Sequence, residues 1–185
     1  MASILKSFPG TEDAELPALI LLSKLERDNA GRASSPQQKE MYHQLALKYY
    51  KIAYERYPAG KLGGVARMGM GDMNRVLGDN TSAILIYRDI ASYSGWKGPL
   101  HAESSFKIGL TYYDQNQIDK AFPYFEATYV RYRRYSDWAA QGMLFHARCL
   151  KKLGHAGDAR NVLQEGLQDP KIRASEWFDE LNREL

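Results

Sequence analysis

The chain has 185 residues, of which 44% are apolar and 25% are charged, a composition typical of an ordinary globular protein and not of a disordered one. The formal charge of +3 is too small to indicate nucleic-acid binding by itself, and the single cysteine, Cys149, excludes an intramolecular disulfide and a cysteine-rich zinc site. The longest apolar run, 16–22, is too short to cross a membrane. The opening Met-Ala-Ser is typical of an expression leader, so the absence of an export signal says little about the natural protein. We expect the chain to be a fragment of a longer bacterial protein.

The first two predicted helices form the N-terminal hairpin. We expect the first helix over about 11–28, followed by a loop over 29–35. Ser35 and Gln38 have the spacing of a capping box, with Pro36 at the first helical position, and they predict the start of the second helix.

The rest of the chain contains a repeat with an interval of 38 residues. In each copy a small residue lies one helical turn before a large one, as in Ala83 and Tyr87, Ala121 and Phe125, and Ala159 and Leu163. A second column of small residues recurs at the same interval, namely Gly71, Gly109 and Ala147. Small residues let two helix backbones approach closely, and the large side chain fills the space beside them.

A turn divides each repeat into two helices. Gly78, Asn116 and Gly154 occupy one column, where the end of a helix requires a residue that tolerates positive φ. We expect Asp79 or Asn80, and likewise Asp158, to cap the helices that follow. Each unit is therefore predicted to be a helical hairpin, and such hairpins bury their apolar stripes by stacking on one another.

The C-terminal segment is predicted to be one capping helix over 170–184, since Asp169 and Pro170 form a start signal. Its apolar residues follow helical spacing: Ala174, Trp177, Phe178, Leu181 and Leu185. We therefore expect nine helices and no strand. The predicted fold class is all-α, a single α-solenoid domain over 1–185 with units at about 12–58, 64–96, 102–135 and 140–168.

Over about 12–168 the sequence resembles the tetratricopeptide repeat family. The residues that carry this resemblance stand at the family's spacing: Gly109, Tyr112, Ala121, Phe125 and Pro58. The match is strongest in the unit 102–139. The chain departs from the family pattern at Arg67 and Ser105, where an aromatic residue is usual, and at Asn74, which replaces a tyrosine.

The resemblance implies a right-handed superhelix of about four repeats. Its first helices would line a concave groove that receives an extended or helical peptide. Family members act as scaffolds, carry no catalysis and need no cofactor. The connectors between repeats resemble those of bacterial cell-envelope members, including outer-membrane assembly lipoproteins and Tol-associated periplasmic proteins, which implies a periplasmic or envelope setting.

When the chain is aligned with the family's repeat, nine residues are predicted to face the groove: Met68, Asp72, Arg75, Phe106, Leu110, Tyr113, Leu144, Arg148 and Lys151. Phe106, Leu110 and Tyr113 would form an apolar centre beside Arg148 and Lys151, which suits a peptide with an aromatic or aliphatic anchor and an acidic flank. The alternative is that the C-terminal helix or a neighbouring unit covers these residues. Solvent exposure distinguishes the two.

Met68 and Asp72 stand where a chaperone-tail clamp of this family would have a lysine and an asparagine, so that ligand is disfavoured. Two other functions stay open. One is self-association as a structural module. The other is RNA binding by the segment YVRYRRY, 129–135, although the arginines also suit the negative end of a helix and the tyrosines suit an inward face.

Signatures of an enzyme or a metal site are not found in the sequence. The glycines of 69–74 lack a preceding strand and a third glycine, so they do not form a dinucleotide fingerprint. The four histidines are scattered without metal-ligand spacing. His146 and Cys149 lie three residues apart on one helix, but a packed helix face does not supply the cleft that activates a thiol.

Overall fold

The computed structural model describes residues 12–185, and this part of the chain contains helices and no β-strand. The predicted all-α class is therefore confirmed for the described residues. The α-helices are α1 Glu12–Arg32, α2 Pro36–Arg56, α3 Gly60–Val76, α4 Asn80–Ser92, α5 Pro99–Asp114, α6 Ile118–Arg131, α7 Ser136–Lys152, α8 Ala156–Gln168, α9 Pro170–Arg173 and α10 Phe178–Glu184, with a short 3₁₀ helix at Ser94–Trp96.

The chain divides into two compact units, the first ending at Leu100 and the second running from His101 to Leu185. In unit 1 α1 packs on α2, α2 packs on α3, and α3 packs on α4. In unit 2 α6 packs on α7, α7 packs on α8, and the short helices α9 and α10 contact both α7 and α8. Sequential packing of this kind is compatible with an α-solenoid. The single repeat domain over 1–185 stays a prediction.

The start of the chain differs from the expected boundaries. Helix α1 continues to Arg32, so the predicted loop over 29–35 shrinks to the three residues before α2. Ala30 is buried, and its packing extends the helix through the segment that reads as a loop. The predicted cap of α2 is confirmed, since the backbone N–H of Gln38 donates to the hydroxyl of Ser35 at 3.2 Å.

The C-terminal segment forms two short helices, so the prediction of one capping helix over 170–184 is wrong. The described residues consequently contain ten α-helices, one more than expected. Ser175 lies at the break, where its hydroxyl donates to the carbonyl of Ile172 and accepts the N–H of Trp177. Such local side-chain bonds compete with the continuation of a helix.

The three predicted turns share one geometry. Gly78, Asn116 and Gly154 have positive φ of 87°, 56° and 86°, as expected for a helix end of this kind. In each turn the following residue donates its N–H to the carbonyl five residues before it: Asp79 to Asn74, Gln117 to Tyr112, and His155 to Leu150, all at 2.9 Å. This is the bond pattern of a Schellman motif, repeated at the interval of the sequence repeat.

Of the two predicted aspartate caps, one is confirmed and one is wrong. The carboxylate of Asp79 accepts the N–H of Ser82 at 3.0 Å and caps α4. Helix α8 begins at Ala156 with His155 in the cap position, which leaves Asp158 exposed within the first turn.

The core of unit 1 is built around the glycines of α3. A Cβ atom on Gly69 would overlap the ring of Tyr50, and one on Gly71 would lie 2.5 Å from Cε1 of Tyr87. A Cβ atom on Gly64 would lie 3.1 Å from the indole of Trp96. Three aromatic rings from three different elements therefore rest on one glycine-rich helix.

The core of unit 2 uses the same small-and-large scheme. Ala121, Phe125, Ala159 and Leu163 are fully buried, as Ala83 and Tyr87 are in unit 1. A Cβ atom on Gly109 would lie 2.9 Å from the ring of Phe125. The predicted equivalence of the three small-and-large pairs is thus seen in the packing of each unit.

Candidate functional site

The predicted groove residues divide by exposure. Met68, Phe106 and Leu144 are buried in the core, so they offer no surface to a ligand. The remaining residues are half-buried or exposed, namely Asp72, Arg75, Leu110, Tyr113, Arg148 and Lys151.

Unit 2 brings two of these residues, Leu110 and Tyr113, into a surface formed by α5 and α7. We call it the aromatic face and define it by four half-buried side chains, Leu110, Tyr113, Trp138 and Phe145. All four pack against the small core cluster that contains Phe106 and Phe125. Each therefore has one side anchored in the core and another side open to solvent.

Ring contacts hold the aromatic face in place. The rings of Tyr113 and Phe145 meet edge to face at 5.5 Å between centroids. Phe106 lies beneath them, 5.3 Å from Phe145 and 5.8 Å from Trp138. Rings at these separations attract one another beyond their buried area, so the side chains are pre-ordered before any ligand arrives.

Trp138 and Phe145 were missed by the sequence reasoning. From the sequence, Leu144, Arg148 and Lys151 were expected on the outward side of α7, whereas the structure exposes one side of 138, 141, 145 and 148. The signal that could have found them is the spacing of seven between Trp138 and Phe145, two helical turns on one face. Leu144 lies on the neighbouring face and enters the core with Leu163 and Leu181.

Two cations lie over the rings of the aromatic face. The guanidinium of Arg148 sits 5.1 Å from the centroid of Phe145, and the ammonium of Lys152 sits 4.8 Å from that of Tyr113. Both distances are within the range of cation–π attraction. Lys152 is exposed and was not among the predicted residues.

Helix α10 covers two of the predicted cations, Arg148 and Lys151. For these two residues the sequence alternative applies, in which the C-terminal helix covers the groove. Arg148 bonds Glu180 at 2.9 Å and Glu184 at 2.8 Å. Lys151 also reaches Glu184, at 3.1 Å. Burial acts to raise the pKa of the Glu184 carboxyl, but hydrogen bonds from Arg148 and Lys151 outweigh burial and lower that pKa. The carboxylates of α10 therefore already form ion pairs with Arg148 and Lys151.

Burial favours the neutral forms of three titratable groups of unit 2. Burial raises the pKa of the Tyr113 phenol, with a further contribution from Cys149. Burial also raises the pKa of the Cys149 thiol to about 11, so the sulfur stays protonated at neutral pH. His146 packs on Phe122 with ring centroids 4.2 Å apart, and burial lowers the pKa of its imidazole.

The two polar residues predicted in unit 1, Asp72 and Arg75, belong to a network around Tyr87. The hydroxyl of Tyr87 donates to Asp72 at 2.8 Å, and Arg75 also interacts with Tyr87. Burial and the neighbouring Asp72 carboxylate raise the pKa of the Tyr87 phenol. Asp72 and Arg75 thus orient the ring that fills the space beside Gly71.

The arginine and tyrosine segment 129–135 is partly neutralised within unit 2. Arg133 bonds Glu165 at 2.5 Å and Asp169 at 3.1 Å. Arg134 lies over the ring of Tyr135, 4.7 Å from its centroid. Arg131 is exposed, and RNA binding by this segment stays a prediction.

Within residues 12–185, no group of three or more His, Cys, Asp or Glu side chains has the geometry to hold a metal ion. No helix in the same part of the chain is long and apolar enough to cross a bilayer.

The chain was also compared with known proteins. No model of a protein family matches it, and no curated protein matches it either.

Proposed function

We propose that the chain is a non-enzymatic scaffold of the tetratricopeptide type that binds a peptide segment of a partner protein through the aromatic face of unit 2. The observation that carries the proposal is the set of half-exposed apolar side chains of Leu110, Tyr113 and Phe145, anchored on a packed core and flanked by cations. The 38-residue repeat supports the scaffold interpretation. The resemblance of the connectors supports a bacterial cell-envelope setting.

The chemistry of the aromatic face favours one kind of peptide. An aromatic or aliphatic side chain of the ligand would pack against the open sides of Tyr113 and Phe145. Lys152 is the exposed cation at the end of this surface, while Arg148 already bonds two carboxylates of α10. An acidic residue next to the anchor would therefore meet Lys152.

The test is selection of peptides from a random display library on the immobilised protein, followed by affinity measurement on three proteins. Peptides from the wild type should contain an aromatic or aliphatic anchor with an acidic neighbour. Leu110→Glu should weaken their binding at least about tenfold, since it places a charge within the apolar surface. Val130→Glu, on an exposed residue of the same unit, is the matched control and should change little.

Circular dichroism must show that both variants stay folded. Peptides that bind wild type and Leu110→Glu equally well would contradict the proposal, as would a selection that yields no sequence preference.

Self-association is a second candidate, favoured by an apolar patch on unit 1. Leu21 is 68% exposed and Leu25 is 49% exposed on α1. A cavity of about 320 Å³ lies beside them, lined in part by Pro17, Ile20 and Leu62. Sedimentation at increasing concentration should show a growing mass that the double variant Leu21→Glu, Leu25→Glu abolishes, whereas a constant monomer mass would remove this candidate.

A further inference from the structure

Unit 1 contains a second aromatic surface that the proposed function does not use. An open cavity of about 420 Å³ lies where α2 and α4 end and the 3₁₀ helix begins. Its apolar walls are Tyr54, Pro58, Tyr93 and Trp96, and Asp89 stands among its polar groups. We call it the tyrosine–tryptophan pocket. Each of these residues belongs to unit 1.

The walls of this pocket are fixed by contacts behind them. The indole N–H of Trp96 donates to the carbonyl of Gly60 at 2.8 Å, and its ring rests on Gly64. Tyr93 meets Trp96 edge to face at 4.6 Å, and Tyr54 does so at 6.3 Å. Because Trp96 is anchored by its own hydrogen bond, a ligand would enter a pocket whose shape exists beforehand.

The arrangement disfavours a free cation as the ligand. An aromatic cage for an ammonium group needs open ring faces around one centre. Here the guanidinium of Arg67 already lies over Tyr54, 4.9 Å from the ring centroid, and also bonds Asp89. The chain itself therefore supplies the cation. The ring that stays exposed is that of Tyr93, and it is suited to a compact apolar group.

The charge visible to solvent at the rim is negative. The side chain of Asp89 is 60% exposed, whereas that of its partner Arg67 is only 19% exposed. A basic residue of a ligand can approach the open side of the Asp89 carboxylate, but an acidic residue would be repelled there.

We propose that the tyrosine–tryptophan pocket binds a proline-rich peptide segment that carries a lysine or arginine beside its prolines. Prolyl rings are compact and apolar, and a run of prolines forms an extended helix of low conformational entropy. Aromatic grooves suit such segments. The half-exposed ring of Tyr93 stacks against a proline, and Asp89 receives the basic residue. This site is separate from the aromatic face and does not depend on the function proposed for it.

The experiment is a titration of the isotope-labelled chain with two probes, an oligoproline of about ten residues that contains one arginine, and a glycine–serine peptide with the same arginine. The indole N–H signal of Trp96, assigned with Trp138→Phe and Trp177→Phe, reports directly on the pocket. The proline probe should shift this signal in a saturable way, and the glycine–serine probe should leave it unchanged.

Three variants sharpen the result. Tyr93→Ala removes the exposed ring and should weaken the proline probe about tenfold or more. Plain oligoproline, used as a third probe, should bind the wild type more weakly than the arginine-bearing probe, and Asp89→Asn should abolish this difference. Leu85→Ala, on an exposed residue of α4, is the matched control and should bind like wild type.

Equal shifts by both probes would overturn the proposal, as would unchanged affinity in folded Tyr93→Ala. A saturable shift by a trimethyl-lysine peptide with none by the proline probe would overturn it in favour of a cation site. Tyr113→Ala, on the aromatic face of unit 2, should leave the proline affinity unchanged, so failure of either proposal can be told from failure of the other.

Discussion

Helix α3 of unit 1 and helix α7 of unit 2 occupy corresponding places in the repeat, 76 residues apart, but they differ in how they pack. On α3, Gly64 and Gly71 receive rings from other elements. At the matching positions α7 carries Ala140 and Ala147. The large residue that accompanies the small one changes in step, from Tyr87 in unit 1 to Leu163 in unit 2.

The contrast is sharpest in one column of the repeat. Gly69 of α3 lies under the ring of Tyr50, which comes from α2. The matching residue of α7 is Phe145, which carries its own ring into the aromatic face. Glycine costs about 1 kcal/mol against alanine inside a helix, so α3 depends on the rings packed against it. Helix α7 is intrinsically the better helix, and it presents an aromatic surface outward.

The largest effect is expected from adding a methyl group to α3. Gly71→Ala would place Cβ about 2.5 Å from the ring of Tyr87, which cannot move freely because its hydroxyl bonds Asp72. We expect a loss of about 2–3 kcal/mol in the free energy of unfolding, despite the better helix propensity of alanine. Urea denaturation measures it. A neutral or stabilising result would show that Tyr87 is not held tightly.

A smaller effect, a coupling energy of about 1 kcal/mol, should appear in a double-mutant cycle that converts the hairpin of α5 and α6 into the alanine-and-leucine type. Gly109→Ala crowds the Phe125 ring, and Phe125→Leu leaves a void beside Gly109, so we expect each to cost about 1–3 kcal/mol. The double variant should cost less than the sum by about 1 kcal/mol. Strict additivity in urea denaturation would mean that small and large residues do not compensate one another.

A glycine-to-alanine change outside the packed columns should have the opposite effect on stability. Gly31 lies in α1 without positive φ. Apart from its chain neighbours and the adjacent backbone of α1, no described atom lies within 4 Å of the place that an alanine methyl group would occupy. Gly31→Ala should therefore stabilise the chain by about 0.5–1 kcal/mol. It is also the control for Gly71→Ala, because the chemical change is identical. A destabilising outcome, seen as a lower thermal midpoint, would indicate that Gly31 has a role beyond local helix structure.

Each unit contains a histidine whose pKa is lowered by burial. Burial lowers the pKa of His146 in unit 2 and that of half-buried His43 in unit 1, where Lys39 and Arg27 also contribute. Since the unfolded chain then binds more protons than the folded one, stability should fall as the pH drops below the ordinary value of 6.5.

Thermal melts at several values between about pH 7.5 and pH 5 test this dependence. His146→Phe should flatten the fall more than His43→Phe, because His146 is the more buried and packs between aromatic rings. An unchanged slope in His146→Phe would show that its imidazole becomes protonated without cost.

Much of the fold was readable from local patterns. The turns at Gly78, Asn116 and Gly154 follow from backbone geometry, because positive φ is tolerated by few residue types. The candidate site was only partly readable. Leu110 and Tyr113 were placed on the half-exposed surface, but Phe106 was expected there and is buried. Periodicity shows that a helix has an apolar side, but not which part of that side a neighbour will cover.

The sequence by itself determined the helical hairpins, the 38-residue interval and the pairing of small with large residues, since each depends on contacts within one or two neighbouring helices. Only the tertiary structure decided which side chains are exposed to solvent. It turned Phe145 toward the surface and Leu144 into the core, and it brought Glu180 and Glu184 onto Arg148. One residue along a helix rotates a side chain by about 100°, so a register error of one position exchanges a buried residue for an exposed one.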